Sequence, residues 1–383
     1  MRSITLLLFL PAFFIDNNTI SAQQIIKYKT SVFNAGEDGI DSYRIPSMVT
    51  TKSGTLLAFC EARKISSTDK TPTDIVMKRS VDDGRTWSEM QVLIRGEKEA
   101  FMDPVALVDY KTGKIFLFAS RWPAEDHSMQ GNTAWLVTSV DDGVSWSYPQ
   151  NITKKILAKG HLLNGFGPGS GIEMQGAKFK NRLILPIRQY NKKRGTNRNR
   201  ALYSDNHGKT WKIGKAASTG GEFEIAESSL DTLIYTLRSG KGQRKKAWSV
   251  DGGRSWGEAV VDGDIKTTFD YGGCQSSILS SNNVLFFTGP AGGERDDNHE
   301  DRQNLKIYRS LDGGKTWKDN LLLFDKAAGY SNISELKSGD IAIIFETADT
   351  NGFPKMTPGN RPPGWMRLDV LVLPKTILQA EDW

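Results

Sequence analysis

The chain has 383 residues, of which 50 are Lys or Arg and 44 are Asp or Glu, so its formal net charge at neutral pH is +6. Two cysteines are too few for a disulfide scaffold, and the basic residues are scattered rather than gathered with aromatic residues, which argues against nucleic-acid binding. Because no CxxC or HExxH pattern is present, we expect neither a metal ion nor another cofactor.

The first 22 residues have the features of an export signal. Arg2 precedes an apolar stretch from residue 4 to residue 15, and Ser21-Ala22 offers a small-residue cleavage site. The stretch is too short to span a bilayer. A buried first strand is the alternative, but polar residues follow this terminal segment. We therefore expect residues 1–22 to be a signal peptide, residues 23–383 to form a single domain, and the protein to be periplasmic or secreted.

A short acidic turn that ends on tryptophan recurs five times along the chain. The first copy of this box is Ser80-Val-Asp82-Asp-Gly84-Arg-Thr86-Trp87, and the other copies end at Trp146, Trp211, Trp256 and Trp317. In such a turn the Asp side chain can bond its own backbone, Gly can take a left-handed conformation, and Trp can pack beneath. The third copy has Asn206 in place of Asp, and an Asn side chain can accept the same bond.

Short β-rich segments separate these boxes. Residues 55–60, 114–118 and 341–345 are typical, since each is apolar and flanked by Gly, Asn or Asp. Successive box tryptophans lie 45 to 65 residues apart, which suits a four-stranded propeller blade with variable loops better than the fixed period of a solenoid. We predict an all-β fold, a six-bladed β-propeller, in which strands from both chain ends complete the blade that has no box.

Four arginines end or flank segments that could be inner strands of such a propeller. Arg44 lies in Tyr43-Arg44-Ile45-Pro46, Arg63 ends an apolar run, Arg238 follows residues 233–237, and Arg302 precedes residues 305–307. The ends of inner strands converge near the propeller axis, so these side chains could meet around one small anion. A guanidinium grips a planar carboxylate at two points, which a Lys ammonium cannot do.

The Tyr-Arg-Ile-Pro motif followed by these arginines resembles the bacterial exo-sialidases, or neuraminidases, from about residue 43 to residue 346. The boxes are less specific, because they occur in several unrelated propellers. The resemblance implies that Arg44, Arg238 and Arg302 bind the carboxylate of sialic acid, with Arg63 at the rim of the pocket. The resemblance also implies that the substrates of the protein are sialylated glycoproteins, glycolipids or oligosaccharides. We expect a monomer with no membrane span and no nucleic-acid partner.

The resemblance also implies that Asp69 is the general acid/base. This residue lies six positions after Arg63, on the loop formed by residues 66–70. Asp74 is an alternative, but it directly precedes a strand-like run and is favoured as a strand-entry residue. Protonating a departing glycosidic oxygen calls for a partly raised pKa, so we expect Asp69 in a sheltered position.

Tyr330 matches the nucleophile of the family, and Glu222 matches the carboxylate that activates it. Glu224 and Glu227 share the run of residues 222–227 and stay open as alternatives. Sialidases are an exception among retaining glycosidases because they attack with Tyr. A sialoside carries a carboxylate on its anomeric carbon, which would repel a second anion but not a neutral phenol. The unperturbed pKa of Tyr, near 10, then makes a neighbouring base necessary.

Further positions resemble family features less specifically. Glu346 would orient Arg44, Met102 and Asp103 would lie beside the 4-hydroxyl and N-acetyl groups, and Gln275 would lie near the floor of the site. A strand-end surface charge is the alternative for Glu346. Trp122 or Trp135 would wall the acetyl pocket, unless both belong to the core.

Two remaining features have structural interpretations. Cys60 and Cys274 lie in strand-like or Gly-rich contexts, and we expect two buried free thiols rather than a disulfide. Residues 167–171 contain three glycines but no P-loop Lys, and no helix follows them, so we expect a turn close to the pocket.

The main hypothesis is therefore a retaining exo-sialidase. A catalytically silent sialic-acid-binding propeller would need only the arginines, and a scaffold built from box turns would need no convergence of arginines at all. The catalytic residues do not separate hydrolysis from trans-sialidase activity, which depends on the loops at the rim.

Overall fold

The structure is a computed structural model that describes residues 25–123, 128–157, 159–240, 242–294, 299–353 and 366–378. The expected signal peptide lies outside these residues. Regular structure in this part of the chain is nearly all β-strand. The helices are short: α-helical turns at Thr153–Ile156 and Lys375–Leu378, and 3₁₀ turns at Glu37–Gly39, Ala177–Phe179 and Asp270–Gly272. None of the described helices has the length and apolarity that a membrane crossing requires.

The strands pair antiparallel in six groups. Strand β1 (Tyr28–Asn34) belongs to the sixth group. The first group contains β2 (Ser42–Thr50), β3 (Leu56–Arg63), β4 (Thr73–Ser80) and β5 (Gln91–Ile94). The second contains β6 (Ala100–Asp109), β7 (Lys114–Trp122), β8 (Thr133–Ser139) and β9 (Gln150–Asn151). The third contains β10 (His161–Phe166), β12 (Ile172–Glu173), β13 (Leu183–Asn191), β14 (Thr196–Ser204) and β15 (Lys212–Ile213), while β11 (Gly169–Ser170) pairs in parallel with β6.

The other three groups follow the same order. The fourth group contains β16 (Phe223–Ser229), β17 (Thr232–Gly240), β18 (Gln243–Ser249) and β19 (Val260–Asp262). The fifth contains β20 (Ser277–Ser281), β21 (Val284–Pro290), β22 (Gln303–Ser310) and the first half of β23 (Asp319–Glu335). The sixth contains the second half of β23, then β24 (Ile341–Thr347), β25 (Arg367–Leu373) and β1. The predicted all-β fold is confirmed, and the group without a box is completed by both chain ends, as expected.

Apolar layers separate successive groups. Neighbouring residues of a strand point to opposite faces, so β3 contributes Leu56, Ala58 and Cys60 to one layer and Leu57 and Phe59 to another. The layer of Leu56 also holds residues of β1, β24 and β25, and therefore lies between the first and sixth groups. Four further layers fill the remaining interfaces between consecutive groups. Strands of successive groups also contact one another directly: β2 contacts β6, β6 contacts β10, β12 contacts β16, β16 contacts β20, β20 contacts β23, and β23 contacts β2.

Each box forms the turn between the last two strands of its group. In the first box the Ser80 hydroxyl accepts a bond from the Gly84 amide at 2.7 Å, and Asp82 Oδ1 accepts one from the Thr86 amide at 2.9 Å. Asn206 Oδ1 accepts the corresponding bond from the Thr210 amide at 2.9 Å, so Asn does replace Asp in the third box. The box tryptophans pack against the apolar layers.

The box glycines give a stability prediction. A Cβ on Gly208 would lie 2.3 Å from the Phe116 ring, and the residue has a φ of +74°. Gly195 also has a positive φ, +61°, but its nearest neighbour would be the Tyr190 hydroxyl at 3.6 Å. Gly195→Ala should therefore lower the free energy of unfolding by about 1 kcal/mol from backbone strain. Gly208→Ala should lower it by roughly 3 kcal/mol, because overpacking adds to the strain. Urea unfolding of both variants measures the difference, and equal losses would contradict it.

Candidate active site

Arg44, Arg238 and Arg302 meet around the side chain of Tyr330. They come from β2, from the end of β17 and from the residue before β22. The guanidinium carbons of Arg44 and Arg302 lie 5.8 and 5.5 Å from the centre of the Tyr330 ring. Nη1 of Arg238 donates to the Tyr330 hydroxyl at 2.8 Å. The structure thus brings together three arginines that are as far apart as 258 residues in sequence.

A buried carboxylate anchors Arg44. Glu346 Oε1 accepts bonds from Nε of Arg44 at 3.1 Å and from the Ile45 amide at 3.0 Å, and its Oε2 accepts one from the Tyr330 amide at 3.1 Å. Burial raises the pKa of Glu346, but the Arg44 charge and these amide bonds outweigh it, so the pKa is lowered. Glu346 is fully buried, which excludes the alternative of a surface charge.

Backbone carbonyls of one loop hold the other two arginines. Nε of Arg238 donates to the Gly272 carbonyl at 3.2 Å and its Nη2 donates to the Tyr271 carbonyl at 2.5 Å. Nη2 of Arg302 donates to the Gly273 carbonyl at 3.2 Å. Nε of Arg302 is buried and has no hydrogen-bond acceptor among the described residues. Arg302 therefore keeps donors that an anion could use.

Tyr330 and Glu222 form a short hydrogen bond. The Tyr330 hydroxyl donates to Glu222 Oε1 at 2.5 Å, and Nη1 of Arg238 donates to Glu222 Oε2 at 2.6 Å. Burial and the Glu222 charge raise the pKa of Tyr330 well above its usual value. Burial also raises the pKa of Glu222, but Arg238 and then Arg188 outweigh this effect, so the pKa is lowered. The pair is a neutral phenol against an ionised carboxylate.

The carboxylates considered as alternatives have structural partners instead. Asp74 pairs with Lys64 at 2.8 Å near the start of β4. Glu224 and Glu227 each accept bonds from at least two backbone amides, and neither bonds Tyr330. Of the three carboxylates in residues 222–227, only Glu222 reaches the phenol.

Asp69 lies at the mouth of the site. Its Oδ1 is 2.7 Å from Nη1 of Arg63 and 3.6 Å from Nη1 of Arg44, and its side chain is 64% exposed. Loss of solvent contacts raises the pKa of Asp69, but the two guanidiniums outweigh it and hold the pKa well below its usual range. The expected sheltered position with a partly raised pKa is wrong for the unliganded protein, because two cations face an exposed carboxylate.

Arg63 is fully buried rather than at the rim. Its Nε and Nη2 donate to Glu61 Oε2 at 2.9 and 2.6 Å, and its Nη1 donates to the Ser67 carbonyl at 2.5 Å. The loop that carries Asp69 therefore covers the guanidinium. Burial raises the pKa of Glu61 to about 7 despite Arg63. Glu61 Oε1 accepts a hydrogen bond from the Asp103 amide at 2.9 Å, which links β3 to β6.

Asp103 and Met102 lie on β6 beside these groups. Asp103 Oδ2 accepts bonds from Nη2 of Arg188 at 2.7 Å and from the Ser120 hydroxyl at 3.3 Å. Burial raises the pKa of Asp103 to about 6, although Arg188 opposes this. Met102 packs with Trp122 in a small apolar cluster.

The remaining residues that the sequence analysis singled out differ in their distance from Tyr330. Gln275 Oε1 accepts the Ser331 amide at 3.3 Å, directly beside Tyr330. Trp135 packs against Phe101 in a core layer, away from Met102. Both cysteines are buried and free, as expected, and Cys274 packs against Tyr330. Residues 167–171 contribute the bridge between β11 and β6 rather than a phosphate loop.

Arg188 was missed by the sequence analysis. It follows the apolar run of residues 183–187, as Arg238 follows residues 233–237, so the signal that found Arg238 could have found Arg188. Among the described residues, no group of three or more His, Cys, Asp or Glu side chains is placed to hold a metal ion.

The sequence of this chain is similar to a known family model and to known sialidases. Residues 54–343 match the family model described as a BNR repeat-like domain. The chain is 31% identical over 340 residues to a sialidase of Micromonospora viridifaciens, which covers 81% of this chain and 50% of that protein. It is also 31% identical over 355 residues to a sialidase of Bacteroides fragilis, which covers 83% of this chain and 62% of that protein. The chain thus spans about half of the first relative and less than two thirds of the second.

Solved structures agree in fold. A Hadza microbial sialidase superimposes with a TM-score of 0.76 at 26% identity, covering 91% of this chain and 69% of that one. The intramolecular trans-sialidase from Ruminococcus gnavus, in complex with oseltamivir carboxylate, superimposes with a TM-score of 0.72 at 18% identity, covering 92% of this chain and 98% of that one. At that identity the second likeness concerns the fold alone.

Proposed function

The chain belongs to the sialidase family, and we propose that it is a retaining exo-sialidase that releases terminal sialic acid from glycoproteins, glycolipids or oligosaccharides. One observation carries the proposal: three guanidiniums, a neutral phenol and an ionised carboxylate meet in a single site. The guanidiniums are suited to bind a sugar that carries a carboxylate. The phenol and the ionised carboxylate are suited to attack its anomeric carbon as nucleophile and base.

The proposed architecture is a closed six-bladed β-propeller. Six antiparallel groups, an apolar layer between the sixth and the first, and contact of β23 with β2 support this closure. We also propose that residues 1–22 direct export, that residues 23–383 form a single mature domain, and that the protein is a monomer.

The first step is recognition of the sugar carboxylate by Arg44, Arg238 and Arg302. Arg44 and Arg238 are already held by Glu346 and Glu222, which fixes their direction before substrate arrives. Because Arg302 has spare donors, it can form the two-point contact that a planar carboxylate allows. The same charges would stabilise the oxocarbenium-like transition state as its electrons shift.

In the second step the Tyr330 oxygen attacks the anomeric carbon. Its proton passes to Glu222 Oε1 along the existing 2.5 Å hydrogen bond, while the bond from the anomeric carbon to the aglycone oxygen breaks. Since the pKa of Tyr330 is raised, the phenol does not ionise in advance, and proton transfer must accompany attack. Arg238 bonds both partners and would stabilise the charge that moves between them.

Asp69 would protonate the departing oxygen and later deprotonate the attacking water. In the unliganded protein Arg63 and Arg44 keep it ionised. A bound sugar carboxylate would neutralise part of the Arg44 charge and exclude water, and both changes raise the pKa of Asp69. We therefore propose that substrate binding prepares the acid. Water, deprotonated by Asp69, then attacks the anomeric carbon while its bond to the Tyr330 oxygen breaks, and that oxygen takes its proton back from Glu222. The sugar leaves with its anomeric configuration retained.

Incubation with a fluorogenic aryl sialoside tests the proposal. Release of the aryl alcohol, with the α-anomer of sialic acid as the first product seen by NMR, is the expected result. Binding of sialic acid without release would indicate a silent binding propeller, and neither binding nor release would indicate a scaffold. Adding lactose to the same reaction detects transfer, since a sialylated galactoside would then accumulate.

Replacing Asp69 by Ala should affect substrates according to their leaving groups. Sialyllactose needs protonation of its departing oxygen, so its kcat/KM should fall by about 10³, whereas an activated aryl sialoside should lose only about tenfold. Asp74→Ala is a matched control, because Asp74 makes structural contacts with Lys64, and any loss should be equal for both substrates. Equal losses in the Asp69 variant would contradict the acid role.

A further inference from the structure

We propose that Arg188 is a positioning residue of this site: its guanidinium fixes the position and orientation of the Asp103 carboxylate. The inference rests on the proposed function, because it assigns Arg188 a task in that reaction.

Two strong bonds hold the Arg188 guanidinium. Its Nε donates to the Phe166 carbonyl at 2.7 Å, and its Nη2 donates to Asp103 Oδ2 at the same distance. The side chains of Arg188 and Asp103 are only 12% and 9% exposed. A planar guanidinium held at two edges has one orientation, so it can fix the carboxylate that it binds.

The backbone of two strands is shaped around this ion pair. A Cβ on Gly165 would lie 2.2 Å from Asp103 Oδ2 and 2.7 Å from Nη2 of Arg188, so only glycine fits there. The register of β10 with β13 shifts between Leu163 and Gly165. The register of β6 with β7 also shifts next to Asp103, which has a left-handed φ of +56°. Bulges and strained residues of this kind cluster at functional sites.

The pair leaves one oxygen of Asp103 for a ligand. Both side-chain bonds of Asp103 end on Oδ2, and within the described part of the chain no hydrogen bond ends on Oδ1. An ionised carboxylate held in place can accept a bond from a sugar hydroxyl at Oδ1. A protonated or mobile one would lose this acceptor, so the ionisation of Asp103 matters for substrate binding.

Arg188 also balances a crowded set of buried carboxylates. Asp103 bonds Arg188 and Ser120, and the charges of Glu61, Asp69 and Glu222 act on its pKa. Glu222 bonds Arg238 and Tyr330, and the charge of Arg188 also lowers its pKa. The charge of Glu222 acts in turn on the pKa values of Arg244 and Cys274. Without Arg188 the pKa of Asp103 and that of Glu222 would both rise, and both groups would be protonated at higher pH. Activity that needs the ionised forms would then be lost earlier as the pH falls.

The test compares Arg188→Gln with Arg188→Lys in kcat and KM profiles measured on a fluorogenic sialoside between about pH 4 and 8. In Arg188→Gln we expect KM to rise about tenfold and the acid limb of kcat/KM to move up by about one pH unit. Arg188→Lys should restore the acid limb, because it keeps the charge, but not KM, because it lacks the planar fork.

A matched control and a direct titration keep the proposal falsifiable. Arg182→Gln removes another buried guanidinium, which pairs with the exposed Asp205 at 2.7 Å outside this site, and it should lower stability without moving the acid limb. Selective ¹³C labelling of Asp carboxyl groups reports the Asp103 titration in the unliganded protein, independently of turnover. An unchanged acid limb or an unchanged Asp103 titration in Arg188→Gln would overturn the proposal. If the wild type fails to release sialic acid, the proposed function fails and the task of Arg188 in that reaction fails with it. The titration still shows separately whether Arg188 keeps the pKa of Asp103 down.

Discussion

Replacing Tyr330 by Phe should lower kcat for a fluorogenic sialoside by roughly 10³ or more while the protein stays folded. The substitution removes one oxygen atom, so no covalent intermediate can form and Glu222 has no proton to accept. The ring packing against Cys274 and the bond from the Tyr330 amide to Glu346 are kept. Steady-state kinetics and thermal unfolding of the same preparation measure the two effects.

Tyr308→Phe is the matched control for this variant. Tyr308 is also buried, with a pKa raised to about 12 by burial, and its hydroxyl donates to the Lys266 carbonyl at 3.5 Å, outside the site. Its kcat should stay within about twofold of the wild type. A Tyr330→Phe protein that turns over nearly as fast as this control would show that another group attacks the sugar, and the proposed mechanism would be wrong.

Replacing Arg302 by Gln should lower kcat/KM by about 10³, with part of the loss in KM and part in kcat. The guanidinium would bind the sugar carboxylate in the ground state and stabilise it more strongly in the transition state. Among the described residues, the substitution removes one hydrogen bond, to the Gly273 carbonyl, and an ion pair of Nε with Glu300 Oε2 at 3.9 Å. Binding and turnover should therefore suffer more than folding.

Two further variants separate charge, geometry and stability. Arg302→Lys keeps the charge but loses the two-point contact, so its kcat/KM should lie between those of Arg302→Gln and the wild type. Arg182→Gln removes a buried guanidinium that pairs with Asp205 at 2.7 Å outside the site, and it should cost stability with little change in KM. If Arg302→Gln raised KM and left kcat unchanged, the arginine would contribute binding alone, without selective stabilisation of the transition state.

The sequence predicted the parts of the molecule that follow from local patterns. The boxes determine their own turns, because Ser80, Asp82 and Gly84 complete their bonds within a few residues. Short apolar segments flanked by Gly, Asn or Asp located strands such as β3, β7 and β24, and apolar runs next to an Arg located Arg63, Arg238 and Arg302. These features depend on neighbours along the chain, which a single sequence displays directly.

Local patterns could not predict how deeply a side chain is buried or which residues, distant in sequence, it contacts. Glu222 and Glu224 are two residues apart, so alternation places both on the same face of the chain. Only their positions along the strand differ, and these bring Glu222 to Tyr330 and Glu224 to the amides of Ser170 and Ile278. Sequence alone therefore left the choice to the family resemblance.

The loop over Arg63 explains two errors together. An Arg at the end of an apolar run can be exposed or buried. Arg63 is buried because the loop covers it, and its Nη1 donates to the Ser67 carbonyl. The same loop turns Asp69 back onto the covered guanidinium, which lowers the pKa of that carboxylate instead of raising it. Neither outcome could be predicted without the path of residues 64–70 in space.

The pairing of β1 with β25 determines when the protein can finish folding. Tyr28 lies opposite Val372, so the earliest described strand gains its neighbour on that edge only after residues 367–373 have been synthesised. Such a contact of very high sequence separation is slow to form, and the waiting strand keeps an open edge during translation. Because Tyr330, the proposed nucleophile, lies on β23, two strands from β25 in the same group, its surroundings are complete only after β25 has joined the group.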